Sequence, residues 1–287
     1  MAELRALTAL PSLRDVMVRY DLMPKKSLGQ NFLLDENITA KIARSAGNLD
    51  GVHVIEVGPG PGGLTRAVLH AGASHVVAIE KDSRCVLALA ELQAAAPGRL
   101  EIVEADALKV DVATLAPAPR IIIANLPYNV ATPLLIGWLR QIAADPNVVT
   151  GMTLMFQKEV AERIETGPGS KTYGRLSVMC QWLCEVRHGF DLPPHVFTPP
   201  PKITSSVVHF RPRAKPLVEV GWEIMEKTVE KAFQQRRKML RAALKGMPGA
   251  VEAMAEVGID SSLRAEQLTV MQFGELARQI SKQRSGG

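Results

Sequence analysis

The sequence predicts an α/β fold, a doubly wound and largely parallel sheet followed by a small all-helical C-terminal domain. Three observations carry this. Between Gly51 and Gln157, short runs rich in Ile and Val recur every 20 to 30 residues or so, with helical stretches between them. That is the pattern of parallel βαβ units whose strands are covered on both faces. A glycine-rich turn follows the first run. Beyond Pro216 the apolar residues shift to three- and four-residue steps, which is a helical period.

The strands come in order. His53–Val57 is the first, His75–Glu80 the second, Leu100–Glu104 the third and Arg120–Ala124 the fourth, with 153–156 the fifth. Ser83–Ala95 reads as one of the intervening helices. After Phe156 a helix fits 158–164, a loop 166–170 and a further helix 172–183. Two more strands fit 185–190 and 205–210. Thr198-Pro199-Pro200-Pro201 lies between them as a rigid loop, since prolines do not belong in central strands. Residues 211–216 read as a linker. In the tail, Trp222, Met225, Val229, Ala232, Leu240 and Ala243 form one apolar stripe, and Arg237, Arg241 and Lys245 a basic one. Residues 281–287 are expected to fray. The domain reading is an extension over 1–24, a catalytic domain over 25–213 and a helical domain over 214–287.

Composition narrows the function. The chain has 287 residues, 47% apolar and 22% charged, enough for a large globular domain and a small one. No apolar run approaches the ~18 residues of a membrane span. The first 26 residues lack a signal-peptide core and carry Glu3, Asp15 and Asp21, so a cytoplasmic protein is expected. Cys85, Cys180 and Cys184 make no disulfide framework and lack partners for a metal. The net charge is +5, and residues 211–245 hold ten Lys or Arg against four Glu. One segment therefore carries the whole excess, as a polyanion-binding face would.

Glu56-Val57-Gly58-Pro59-Gly60-Pro61-Gly62-Gly63 joins the first strand to a helix, where a nucleotide-like cofactor would sit. Its spacing does not by itself exclude a nicotinamide cofactor. Glu80 ends the second strand and is placed to accept from both hydroxyls of a ribose. Asp106 follows the third and is placed to accept from an adenine amine. Asn125-Leu126-Pro127-Tyr128 ends the fourth. An exocyclic adenine amine is a poor nucleophile, because its lone pair is delocalised. The Asn125 side-chain oxygen and the Leu126 carbonyl can each accept one amine hydrogen and polarise the nitrogen, and Tyr128 offers a stacking face.

With these motifs the chain resembles the ribosomal RNA adenine dimethyltransferases, most closely their bacterial small-subunit branch. The resemblance also rests on Lys25-Lys26-Ser27-Leu28-Gly29-Gln30-Asn31-Phe32-Leu33, on residues 196–201 with Ser205 and Val207, and on residues 233–238. It runs from about Lys25 to Leu276, and the first 24 residues have no counterpart. It implies a Rossmann-like class I methyltransferase sheet and S-adenosylmethionine as cofactor, held by Asn31, Leu33, Glu56, Gly58, Gly60, Glu80, Asp106 and Asn125. It implies that Phe197 stacks on the target base opposite Tyr128. From the residues alone, Phe197 reads equally as a core aromatic and Asn31 as a turn residue. The implied substrate is a pair of adjacent adenosines in the 3′-terminal hairpin of small-subunit (16S) rRNA, each methylated twice at N6 in the assembling 30S particle by a monomeric enzyme. Arg236, Arg237, Lys238 and Arg241 are the expected phosphate contacts, with Lys25 and Lys26 beside them. Rival readings are a DNA adenine methyltransferase, a binding protein without catalysis and a nicotinamide oxidoreductase.

Overall fold

The structure, a computed structural model, describes residues 6–24 and 29–285. Lys25 and Lys26 lie outside the described residues. The chain divides into two compact units. The first comprises residues 1–138, 147–158 and 187–211, and the second 139–146, 159–186 and 212–287. The second thus joins the C-terminal stretch to two earlier segments that local periodicity does not group with it.

The chain begins with helix α1 (Leu13–Arg19), the short strand β1 (Phe32–Leu33) and helix α2 (Glu36–Ser45). Then β2 (His53–Val57), α3 (Gly63–His70), β3 (His75–Glu80), α4 (Ser83–Ala95), β4 (Leu100–Glu104) and β5 (Arg120–Ala124) alternate as the sequence predicts. Helix α5 (Tyr128–Ala144) and strand β6 (Gly151–Gln157) follow. Helices α6 (Lys158–Glu165) and α7 (Arg175–Leu183) lead into β7 (Cys184–Leu192), the short β8 (Phe197–Thr198) and β9 (Ser205–Pro212). The main sheet has the order β4-β3-β2-β5-β6-β9-β7. β2 to β6 pair in parallel, and β9 runs antiparallel to β6. Successive strands step outward from β2 on one side and from β5 on the other. The strand order therefore reverses between β2 and β5, and ligands bind at the carboxyl ends of strands at such a point. Ile and Val dominate β2, β3 and β5, and Val54, Ile55, Val76, Val77, Ile122 and Ile123 are fully buried, as strands covered on both faces require.

One pairing is invisible to local pattern. β1 and β8 form a separate two-stranded antiparallel sheet, with Phe32 opposite Thr198 and Leu33 opposite Phe197. It joins two motifs more than 160 residues apart in the chain.

The second unit is mostly helical. It adds α8 (Trp222–Gln234), α9 (Leu240–Ala243), α10 (Ala250–Glu256) and α11 (Val270–Ser285). α11 packs on α7, α8 and α10. Tyr173, Phe233 and Phe273 stack in sequence, Trp182 faces Trp222, and the Trp182 indole donates to the Val218 carbonyl at 2.9 Å. All six residues of the apolar stripe are buried, but the stripe is not one helix. The chain leaves α8 at Gln235 and turns before Met239 pairs with Arg264. The reason lies in the sequence: residues 234–238 are all polar, so nothing holds that turn against a core. Two expected boundaries also move. Residues 211–212 complete β9 rather than open a linker, and α11 carries the helix through Ser285 where fraying was expected. The three cysteines are buried and form no disulfide. No helix is long and apolar enough to cross a membrane, and among the described residues no cluster could hold a metal.

Candidate active site

A cavity of about 240 Å³ opens at the carboxyl ends of β2, β3, β4 and β5. Asn31, Gly58, Gly60, Glu80, Asp106, Asn125, Leu126 and Tyr128, eight of the residues singled out in the sequence, line it together. Gln30, Phe32, Lys81 and Asn129 line it too, and local motif reasoning missed them.

The loop after β2 leaves space because its glycines have no side chains. Gly60 sits at φ +56°, and a Cβ there would lie 2.7 Å from the Phe32 ring. A side chain would be both strained and blocked. At Gly63 a Cβ would meet the Leu33 carbonyl at 2.6 Å and Leu13 at 2.9 Å, so the loop and the start of α3 are covered at contact distance.

Glu80 is 7% exposed and is held by backbone donors. Its Oε2 accepts from the Gly60 N–H at 3.1 Å, and its Oε1 from the Lys81 and Asp82 N–H groups at 2.7 and 2.8 Å. Burial raises its pKa, and the three N–H donors oppose the rise. A carboxylate has about four acceptor positions. Three are taken here, so the two expected for a ribose diol reduce to one on Oε2. Asp106 lies at the rim. It caps the turn after β4 by accepting from the Leu108 N–H at 3.2 Å, and it pairs with Lys81 Nζ at 2.9 Å. The lysine contact holds its carboxyl below the usual range. Any further donor to this oxygen must share it with Lys81, which is 66% exposed and readily displaced into water.

At the end of β5 the geometry favours an incoming amine. The Asn125 Nδ2 donates to the Asn31 carbonyl at 2.9 Å, which orients the amide. Its Oδ1 is then an acceptor with no donor among the described residues. No backbone N–H among the described residues takes the Leu126 carbonyl either; the first turn of α5 closes on Pro127 instead, through Val130 and Ala131 at 3.0 and 3.1 Å. Tyr128 shares a hydrogen bond with Ser205 at 2.6 Å, which fixes its ring, and burial raises its hydroxyl pKa.

Three expected pocket residues are elsewhere. Leu33 is 5% exposed and packs in the core under β1. Phe197, 2% exposed, lies opposite it and belongs to the same cluster, so it does not reach the base side of the pocket. Glu56 is 1% exposed and does not line the cavity. Among the described residues its Oε2 has no partner within hydrogen-bonding geometry, and the buried Thr65 hydroxyl is its polar neighbour. Burial pushes its pKa up to about 8; Thr65 moderates the rise and Glu80 adds to it.

On the second unit, Arg237, Lys238 and Arg241 are exposed. Arg236 differs: it pairs with Glu266 at 2.8 Å and donates to the Ser170 carbonyl at 3.3 Å. It is a structural cation rather than an open phosphate contact. The break at Gln235 also takes Arg237 off the helix that carries Arg241, so they do not form a four-residue helical stripe.

Comparison with known proteins agrees with this architecture. The model of the ribosomal RNA adenine dimethylase family matches residues 22–282. The Ribosomal RNA small subunit methyltransferase A of Rhodospirillum rubrum is 56% identical over 271 residues, 94% of this chain and 93% of that protein. The protein of the same name from Rhizobium meliloti is 57% identical over 272 residues, 95% of this chain and 98% of its own. Among solved structures, a dimethyladenosine transferase from Plasmodium falciparum superposes with a TM-score of 0.73 at 23% identity, over 84% of this chain and 94% of its own. The 23S rRNA methyltransferase ErmE gives 0.66 at 27% identity, over 88% of this chain and 100% of its own.

Proposed function

The chain belongs to the ribosomal RNA adenine dimethylase family, and on that premise we propose that it uses S-adenosylmethionine to dimethylate N6 of two adjacent adenosines in the 3′-terminal hairpin of small-subunit (16S) rRNA. The setting of the reaction is the assembling 30S particle in the cytoplasm, and the enzyme acts as a monomer. The two near relatives are named for small-subunit methylation, which supports this substrate over the large-subunit RNA named for ErmE.

The observation that carries the reading is the Asn125–Leu126 corner. Two acceptors without partners among the described residues, the Asn125 Oδ1 and the Leu126 carbonyl, belong to residues that line the same cavity as Glu80 and Asp106. That is the donor–acceptor match for a primary amine beside a nucleoside. The cavity fits an adenosyl cofactor: a glycine loop lines it, with Gly60 too close to the Phe32 ring for any side chain, and its carboxylates lie at the ends of adjacent strands. Glu80 would hold the ribose, Asp106 the adenine amine and Asn31 the methionine end. When bound, the cofactor supplies an electrophilic sulfonium methyl group. Asn125 and Leu126 draw the target nitrogen towards a tetrahedral geometry by accepting its two hydrogens, and Tyr128 stacks on the base. No side chain has to remove a proton first, because the amine becomes acidic only after it has accepted the methyl. For the second methylation one hydrogen remains, and one acceptor suffices.

The base must leave its stack to reach this corner, at a cost of a few kcal/mol. Phosphate contacts from Arg237, Lys238 and Arg241 offset that cost without reading sequence. The experiment is methyl transfer from labelled S-adenosylmethionine to small subunits lacking the modification, followed by nucleoside analysis. Dimethyladenosine at the two adjacent positions is the expected result. Absence of transfer despite confirmed cofactor binding would overturn the substrate assignment.

A further inference from the structure

The family match begins at residue 22, so α1 lies outside it. Yet α1 and the residues after it are built into the wall of the cavity. Leu13 approaches Gly63, where a Cβ would come within 2.9 Å of it. Val16 and Leu22, at 2% and 1% exposure, form one buried cluster with Phe32, Cys85 and Ala88. Phe32 is the ring that lies against Gly60. The cofactor loop is therefore backed by Phe32, and Phe32 is backed by this N-terminal segment.

Polar contacts repeat the linkage. Arg84 donates to the Asp21 carbonyl at 2.7 Å, and its other nitrogens grip both Asp82 oxygens at 3.0 and 2.7 Å. Asp82 is 6% exposed; it accepts from the pocket residue Gln30 at 3.1 Å, and its own N–H holds the Glu80 carboxylate at 2.8 Å. Arg19 and Tyr20 add bonds of 2.8 and 2.6 Å to Glu91 on α4. None of these N-terminal residues lines the cavity, so they act through Phe32, Gln30 and Glu80.

We propose that residues 12–22 form a positioning element of the cofactor site, docking on α4 to hold Phe32 against the glycine loop and, through Arg84 and Asp82, to hold Glu80 and Gln30 in their binding geometry. This rests on the reading of the cavity as the S-adenosylmethionine site. Affinity for the cofactor then depends on the docked fraction of this segment. Lowering that fraction to about one tenth raises the apparent Kd roughly tenfold. Affinity for RNA does not change, because the second unit's basic residues take no part.

The test compares the full-length wild type with Val16→Asp, Arg84→Ala and Arg84→Lys. S-adenosylmethionine Kd is read by calorimetry, RNA Kd by filter binding, and docking by trypsin cleavage after Arg19. The expected result for Val16→Asp is faster cleavage, a cofactor Kd raised roughly tenfold and an unchanged RNA Kd. Arg84→Ala weakens the cofactor alone, and Arg84→Lys, which keeps a donor to Asp82, recovers most of the affinity. Should Val16→Asp lose its cooperative unfolding transition, the Arg84 pair decides. A cofactor Kd within about twofold of wild type in the variants that fold would overturn the proposal. A wild-type chain that binds no S-adenosylmethionine would overturn the reading of the cavity beneath it as well.

Discussion

Replacing Glu56 by Gln removes a fully buried titrating acid, and the consequence is a change in how stability depends on pH. In the folded chain burial holds the Glu56 pKa at about 8, and in the unfolded chain it returns to the ordinary glutamate value of 4.5. The folded state therefore keeps a proton that the unfolded state releases. The stability this contributes is full below pH 4.5 and is lost as pH rises towards 8, after which both states are ionised and no further loss occurs. Between pH 6 and pH 9 the interval crossed is two pKa units at ~1.4 kcal/mol each, or about 3 kcal/mol. Glutamine has nearly the same shape and does not titrate. Urea unfolding of wild type and Glu56→Gln at the two pH values isolates the term, because every other titrating group is common to both proteins. The wild type is expected to lose about 3 kcal/mol more than the variant between pH 6 and 9. Equal losses would mean that Glu56 is ionised in the fold, through a partner or a water path, and the burial argument would fail.

Three further outcomes follow from the site. Asn125→Ala keeps the fold but lowers methyl transfer by roughly 100-fold or more, the usual loss when one preorganised polar contact to the reacting group is removed; single-turnover kinetics with saturating cofactor is the measurement. Arg237→Ala with Arg241→Ala weakens RNA binding and flattens the plot of log K against log salt by about 1.5 units for two phosphate contacts, and an unchanged slope would place the RNA elsewhere. Gly60→Ala costs about 1–3 kcal/mol, from the positive φ and the Phe32 contact, and in a double-mutant cycle Phe32→Ala relieves part of that loss because it removes the obstructing ring.

The sheet and the glycine loop were legible because their signals are local. Runs such as Ile121-Ile122-Ile123 declare a strand buried on both faces, and a glycine run directly after a strand declares a tight turn. Glu80, Asp106 and Asn125 were legible by position, since residues that end adjacent parallel strands meet at one edge. Long-range contacts were not legible. β1 and β8 are two residues each, too short for any period, and their pairing is set by tertiary packing. Arg236 reads as one of three consecutive cations, and only the fold brings Glu266 to it. Helical periodicity ran past Gln235 because Leu240 and Ala243 happen to continue the apolar count; the unbroken polar stretch over 234–238 was the available sign of a turn. Lys81 carries no motif of its own, and Phe32, though inside the motif that ends at Leu33, was not singled out for the pocket; Glu80 and the β1–β8 pair place them there.

The position of Phe197 changes what its substitution should do. A stacking residue needs an open face, and Phe197 is 2% exposed against Leu33. Its route to the chemistry is indirect. Phe197 anchors β1, and the residue preceding β1, Asn31, holds the Asn125 amide through its carbonyl at 2.9 Å. Removing the ring loosens β1 and frees the amide to turn, so the Asn125 oxygen no longer has a fixed aim. Phe197→Ala should then lose about 3–5 kcal/mol of stability, as buried Phe truncations do, and should lose activity with it. Phe197→Leu separates the two roles, because leucine fills most of the space but offers no aromatic face. A positioning role predicts that Phe197→Leu keeps most of the wild-type rate at saturating RNA, with a stability loss of only ~1–2 kcal/mol. A stacking role predicts that its turnover falls nearly as far as that of Phe197→Ala while stability holds; that outcome would require the β1–β8 pair to open when RNA binds, swinging the ring towards Tyr128.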